Sequence, residues 1–154
     1  MKKTVLLTTI GILFSCSNNN PITEKEVRDT ILGMFDSFSV ESDSKDNFYN
    51  FVTDDYILYE MGKAMTAADF IEFANSFGTI EDDWVISDMK FSIDKNSAHT
   101  YFKIRGRFVT LNNGKKELHN YEWLESAYLI RVKGKLKIKF YFSDTVNQST
   151  EVIQ

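Results

Sequence analysis

Glu122 is the side chain on which chemistry in this 154-residue chain could turn. It lies in "ELHNYEWLESAYLIRV", where apolar residues recur with the period of two that a strand requires. Closing "LNNGKKE" and "RVKGKL" as three-residue loops, each with a left-handed glycine, sets Leu118 opposite Phe108, Leu124 opposite Phe102 and Ile130 opposite Leu136. Apolar then meets apolar, which favours this register over a one-residue slip. The face so defined carries Ile104, Gly106 and Phe140, interrupted by Asn120, Glu122, Ser126 and Tyr128. Glu122 falls opposite Ile104 and beside Gly106. A carboxylate on an apolar wall costs several kcal/mol unless it is paired or protonated, so such a group often has a raised pKa and often marks a site. Two other readings stand beside this one: the wall opens to water at Glu122, or a helix residue pairs with it. A two-residue "NG" turn would instead set Lys103 against Leu124.

The other face of the same strands reads differently. Tyr101, Lys103, Arg105 and Arg107 would face Glu125, Trp123, Tyr121 and His119 across the hairpin. Aromatic rings interleaved with arginine suit an interface between two copies, with Tyr101, Arg105, Tyr121 and Trp123 at its centre. A solvated face with cross-strand ion pairs is the alternative. His99 and His119 show no metal-ligand pattern, "NGKKE" lacks the glycine spacing of a phosphate loop, and no serine-centred nucleophile elbow occurs. No metal or cofactor is implied.

The one cysteine suggests an address. Lys2 and Lys3 precede an apolar run from Val5 to Phe14, which ends at Ser15 and Cys16 and is followed by "SNNNP". A positive start, a short apolar core and a small residue at the cut describe a secretory signal, and the core is too short for a spanning helix, which needs about 20 apolar residues. "LFSC" resembles the lipobox of bacterial lipoproteins, which implies acylation of Cys16, a signal peptide over 1–15 and a lipidated tether over 16–21. A signal peptide with an incidental cysteine, or an uncleaved anchor, are the other readings. The resemblance implies the cell envelope, with the periplasmic face of the outer membrane favoured. With 18 basic against 22 acidic side chains, and two of the basic ones in the leader, the chain does not suit a nucleic-acid partner. A single cysteine excludes an intramolecular disulfide.

The elements that must position these residues fall into two halves of one domain, 22–146, followed by a tail, 147–154. Thr23 with Glu26 forms a capping box ahead of Val27, Ile31, Phe35 and Phe38 at helical spacing. "DSKDNFYNFV" predicts a second helix over about 43–52, "DDYILYE" a brief strand, and Thr66 with Asp69 the start of a third helix that ends near Gly78. From Trp84 onward the period becomes two, predicting four long strands: 84–94, 97–111, 115–132 and 135–145. This α+β order, three N-terminal helices on a curved antiparallel sheet of four long strands plus one short strand, resembles the NTF2-like superfamily, with its SnoaL-like and ketosteroid isomerase-like members. "NFVTDDYILYEMG" resembles their passage from second helix to first strand, and "LIRVKGKLKIKFYFSD" their closing hairpin.

The resemblance implies a cone-shaped cavity between helices and sheet, and it adds a second carboxylate. Ketosteroid isomerase-like proteins place their general base at the end of the first strand, where this chain has Glu60. Two carboxylates and Tyr128 around one cavity would suit proton transfer; an acidic rim on a binding pocket is the plainer alternative. Fold does not dictate reaction. The leading expectation is a membrane-tethered domain that binds a small apolar ligand or a protein partner and forms a homodimer through its sheet. The alternative is a small isomerase, cyclase or dehydratase with Glu60 or Glu122 as base.

Overall fold

A computed structural model describes residues 20–153. The first helix, α1 (Glu24–Phe38), starts where Thr23 Oγ1 accepts the Glu26 N–H at 3.1 Å. The capping box is only half made, because the Glu26 carboxylate is drawn away by Arg131. Val27, Ile31, Met34 and Phe35 form its buried stripe. The expected second helix is shorter and tighter, a 3-10 helix over Lys45–Asn50 capped by Ser44. It buries only Phe48, and one anchoring residue per six leaves little to propagate a longer helix. Strand β1 (Val52–Glu60) and the short β2 (Lys63–Met65) lead into α2 (Ala67–Asn75), whose capping box of Thr66 and Asp69 is complete. Four long strands follow: β3 (Thr79–Ile93), β4 (Ser97–Asn112), β5 (Lys115–Val132) and β6 (Lys135–Ile153).

All six strands form one sheet in the order β2-β1-β6-β5-β4-β3. The architecture is α+β as expected, but with two α-helices, six strands and a mixed sheet, since β1 runs parallel to β6. Residues expected as a tail continue β6 to Ile153 and pair with β5 as far as Lys116. Lys137 and Lys139 tie β6 to the 3-10 helix and β1: Lys137 donates to the carbonyls of Tyr49 and Val52, and Lys139 pairs with Asp55.

The register of β5 is the main departure from expectation. Both hairpins close through two-residue turns, Asn113-Gly114 and Lys133-Gly134, with positive φ at both positions. This is the turn whose twist matches the flanking strands. Lys103 therefore opposes Leu124, and every side chain of β5 lies on the face opposite to the one expected. Glu117, His119, Tyr121, Trp123, Glu125 and Ala127 point inward; Asn120, Glu122, Leu124, Ser126 and Tyr128 point out. Bulges in β6 around Lys139 and Val146 turn Tyr141 and Ser143 inward and Phe140 and Phe142 outward. With further register shifts in β3, they curl the sheet. Helices α1 and α2 and the 3-10 helix close its concave side with Phe35, Phe38, Phe48 and Phe70. Among the described residues the core cluster runs from Ile22 to Tyr141, so a chain starting at Asn20 holds all of it.

Candidate ligand cavity with a buried carboxyl pair

The cone encloses an outer chamber of about 190 Å³ and, deeper, an inner chamber of about 70 Å³. They share Phe38, Glu60, Phe70, Trp84 and Trp123 as walls. One wall is an aromatic ladder on β5, where Tyr121 stacks on Trp123 with ring centres 4.9 Å apart and planes 13° from parallel. Trp84 of β3 meets the edge of Phe108 at 4.6 Å and faces Trp123 at 6.0 Å. The Trp123 ring needs a bare backbone beneath it: a Cβ on Gly106 would come 2.7 Å from Trp123 Cζ3 and 2.8 Å from Phe108 Cε2. From the helical side Phe38 meets Trp84 at 5.6 Å and Phe70 at 5.4 Å.

The inner end is polar. Glu60 pairs with Ser143 across β1 and β6, and Ser143 pairs with Glu125 across β6 and β5, so the two carboxyl residues flank one serine in a single row. Ser143 Oγ donates to Glu125 Oε1 at 3.0 Å. Glu125 is only 6% exposed, and its Oε2 has no hydrogen-bond partner. Trp84 Nε1, in the same chamber, is likewise buried and unpartnered, and the Tyr141 hydroxyl lies buried beside the Glu125 carboxyl without a well-formed hydrogen bond. Burial pushes the Glu125 carboxyl well above its ordinary range, the nearby Glu60 charge pushes it further, and Ser143 and Tyr141 pull it back only in part. Burial also raises Glu60, against a lowering contribution from Ser143. Tyr56 and Tyr141 are held strongly neutral, first by burial and then by the Glu125 charge. One carboxyl of the pair is thus kept protonated in a range where free glutamate is ionised.

Of the residues expected at a site, Glu60, Ile104 and Gly106 face the concave side. Glu122 does not: the turned register puts it on the outer face, exposed, opposite Arg105. Asn120, Ser126, Tyr128 and Phe140 are outward for the same reason or because of the β6 bulge. Tyr121 and Trp123, expected on the interface, line the cavity, whereas Tyr101 and Arg105 do lie on the outer face. His119 also turns inward, its ring nitrogens 3.0 Å from Thr110 Oγ1 and 2.9 Å from Thr150 Oγ1, while His99 stays outside. Sequence reasoning missed Glu125, Tyr141 and Trp84 as site residues. The signal for Glu125 was present in "NNG", since Asn-Gly favours the two-residue turn that turns this carboxyl inward. Among the described residues no group of three or more His, Cys, Asp or Glu could hold a metal ion.

No protein-family model matches the chain, and no curated protein matches it in sequence. Solved structures do resemble it. A proposed scytalone dehydratase from Novosphingobium aromaticivorans superposes with a TM-score of 0.66 at 7% identity, over 84% of this chain and 88% of that one. The hexachlorocyclohexane dehydrochlorinase LinA-type3 from Novosphingobium barchaimii gives 0.62 at 8%, over 81% and 90%. The association domain of C. elegans CaMKII gives 0.62 at 12%, over 79% and 94%. Identities this low speak to fold alone. Together with the curled sheet closed by helices around a conical cavity, they show that this chain has the NTF2-like fold.

Proposed function

We propose that this protein is a lipid-anchored ligand-binding domain of the bacterial cell envelope, whose cavity takes a small apolar molecule with a polar group directed at the inner chamber. The observation that carries this reading is the cavity's composition: aromatic walls lead to a floor where Glu125 Oε2, Tyr141 Oη and Trp84 Nε1 are buried without partners. Buried polar atoms of this kind are costly unless something satisfies them. An apolar pocket with a few convergent polar groups is the usual form of a small-molecule site. Both tryptophans of the chain line the cavity, so occupancy can be read directly. The test is organic extraction of protein purified from membranes, with mass spectrometry of the extract, followed by titration of the recovered molecule against tryptophan fluorescence. Recovery of nothing but bulk phospholipid, with no fluorescence response to small aromatic compounds, would oppose the reading.

A second reading, proton-transfer catalysis, is favoured by one observation. Glu60 lines both chambers and so can meet a ligand, while Glu125 behind it is held neutral and can donate a hydrogen bond. A base and a neutral acid on one cavity suit eliminations or isomerisations, and two of the structural neighbours are described as a dehydratase and a dehydrochlorinase. Turnover of a recovered ligand that disappears in Glu60→Gln while binding persists would establish it.

The anchor is proposed from Cys16, which lies outside the described residues along with the expected signal peptide. The fold takes up the chain at the end of the expected tether: Asn20 O, within it, accepts from Arg131 Nη2 at 3.3 Å, and Ile22, just after it, is buried. Cys16→Ser is expected to abolish radioactive palmitate labelling and to move the protein from membrane to soluble fractions. Unchanged membrane association would mean another anchor.

A further inference from the structure

We propose that the ligand is an apolar amine, its ammonium seated between Glu60 and Glu125 and its hydrocarbon part between the aromatic walls. This rests on the ligand-binding reading and names the chemistry of the same site. The first observation is charge. Glu60 and Glu125 flank Ser143 in one cross-strand row, and neither lies within 4.0 Å of a lysine, arginine or histidine among the described residues. Of the other half-buried carboxylates, Glu26 has Arg131, whereas Asp82 is held by hydrogen bonds from Ser39 and Val40. The second observation is Glu125 itself, more than nine-tenths buried with Oε2 unpartnered at the inner chamber.

The remaining groups around the pair do not neutralise it. β1 supplies Tyr56 and β6 supplies Tyr141, both neutral phenols; Asp144 on β6 adds a further negative charge nearby. In the outer chamber Lys45 is the basic group, and its ammonium is already spent on the carbonyls of Phe38 and Ser39. Asp82 holds Ser39 Oγ and the Val40 N–H, and His119 sits between Thr110 and Thr150. A neutral ligand would leave Glu125 protonated and the pair without a countercharge. An ammonium supplies a countercharge to both carboxyls, against the cost of its own desolvation, while Phe38, Phe70, Trp84 and Trp123 offer ring faces that attract a cation. Aliphatic amines have pKa values near that of lysine, about 10.4, so the ligand arrives charged, and Glu125 releases its proton to solvent as the ammonium takes its place.

Trp84 Nε1, an unpartnered donor in the same chamber, favours a ligand acceptor instead, so a neutral alcohol of the same shape is the decisive control. The probes are 4-phenylbutylamine and 4-phenyl-1-butanol, titrated against tryptophan fluorescence of the chain starting at Asn20. Expected at pH 7.5 is a Kd for the amine at least tenfold lower than for the alcohol. Amine affinity should fall toward pH 5 as the carboxyls take up protons, and alcohol affinity should not. Glu60→Gln with Glu125→Gln should bring the two probes to parity. An alcohol that binds as tightly as the amine, or an amine preference that survives the double replacement, overturns the inference and leaves the pocket reading intact. No response to either probe overturns both. If the double variant does not fold, the pH dependence of the unaltered protein separates the same outcomes: an amine affinity that stays flat down to pH 5 overturns the inference.

Discussion

Glu125 shows what a single residue costs this fold and what it offers. Its pKa in the folded protein is raised above the ordinary 4.5, chiefly by burial. Below that value the carboxyl is neutral whether the chain is folded or not, and it costs nothing. As pH rises above 4.5 the unfolded chain loses its proton first, so stability falls until the folded carboxyl also ionises. Glu60 adds a loss of the same sign. Each unit of upward shift is worth about 1.4 kcal/mol. Glu125→Gln can keep the Ser143 hydrogen bond without a charge, so its melting temperature should match the parent near pH 4 and exceed it by several degrees at pH 8. Thermal melts across that range check this. A Gln variant that melts far below the parent at pH 8 would mean an ionised, partnered Glu125. The same change at exposed Glu122 should move stability by no more than about 0.5 kcal/mol at either pH.

At the scale of elements, α1 is held to the β5–β6 hairpin by one polar clasp. Arg131 Nη1 and Nη2 donate to the two Glu26 oxygens at 2.7 and 2.8 Å, and the side chains are only 13% and 33% exposed. Bidentate, half-buried pairs of this geometry are the strong ones. Arg131→Ala should therefore cost about 1.5–3 kcal/mol, read as a lowered urea midpoint with unchanged slope, and Arg131→Lys should recover only part of it. A loss below about 0.5 kcal/mol would make the clasp incidental. The strands that carry this clasp also show which parts of the structure could be read in advance. Helix starts at Thr23 and Thr66 were legible because caps are local chemistry, and the β3–β6 meander was legible from its period. The face of β5 was not, because apolar residues occupy both sides of it: Trp123, Ala127 and Leu129 inside, Leu124, Tyr128 and Ile130 outside. Where alternation is that weak, the turn decides the register. The β6 bulges and the parallel β1–β6 pairing are long-range features with no local signature. Glu60 was found through the family resemblance, which places a general base at the end of the first strand; the Met61-Gly62 turn sets that end here.

The whole molecule leaves one surface unexplained by its own packing, the outer face of the sheet. Tyr59, Phe142, Ser126 and Tyr101 follow one another across β1, β6, β5 and β4 in a single paired row. Leu124 and Tyr128 lie on either side of that row on β5, and Phe140 meets Tyr59 edge-on at 5.5 Å. Tyr101 is 55% exposed and Phe142 44%, so large apolar side chains form an exposed stripe over four strands, interrupted at Ser126. A stripe of that kind is the ordinary mark of an interaction surface. Proposed here is a homodimer built on it, with Tyr101 and Arg105 as first expected, but with Tyr59, Tyr128 and Phe142 in place of Tyr121 and Trp123. The two assignments separate cleanly by mutation. Phe142→Glu puts a charge where no core contact is lost, so it should give a folded monomer with the melting profile of an intact domain. Trp123→Glu puts a charge into the cavity wall beside Gly106 and Trp84, so it should destabilise the fold by several kcal/mol before it affects assembly. Light scattering on the chain starting at Asn20, with circular dichroism melts of both variants, distinguishes them. A parent chain that stays monomeric at high concentration would end the dimer proposal and leave the stripe free for a different partner.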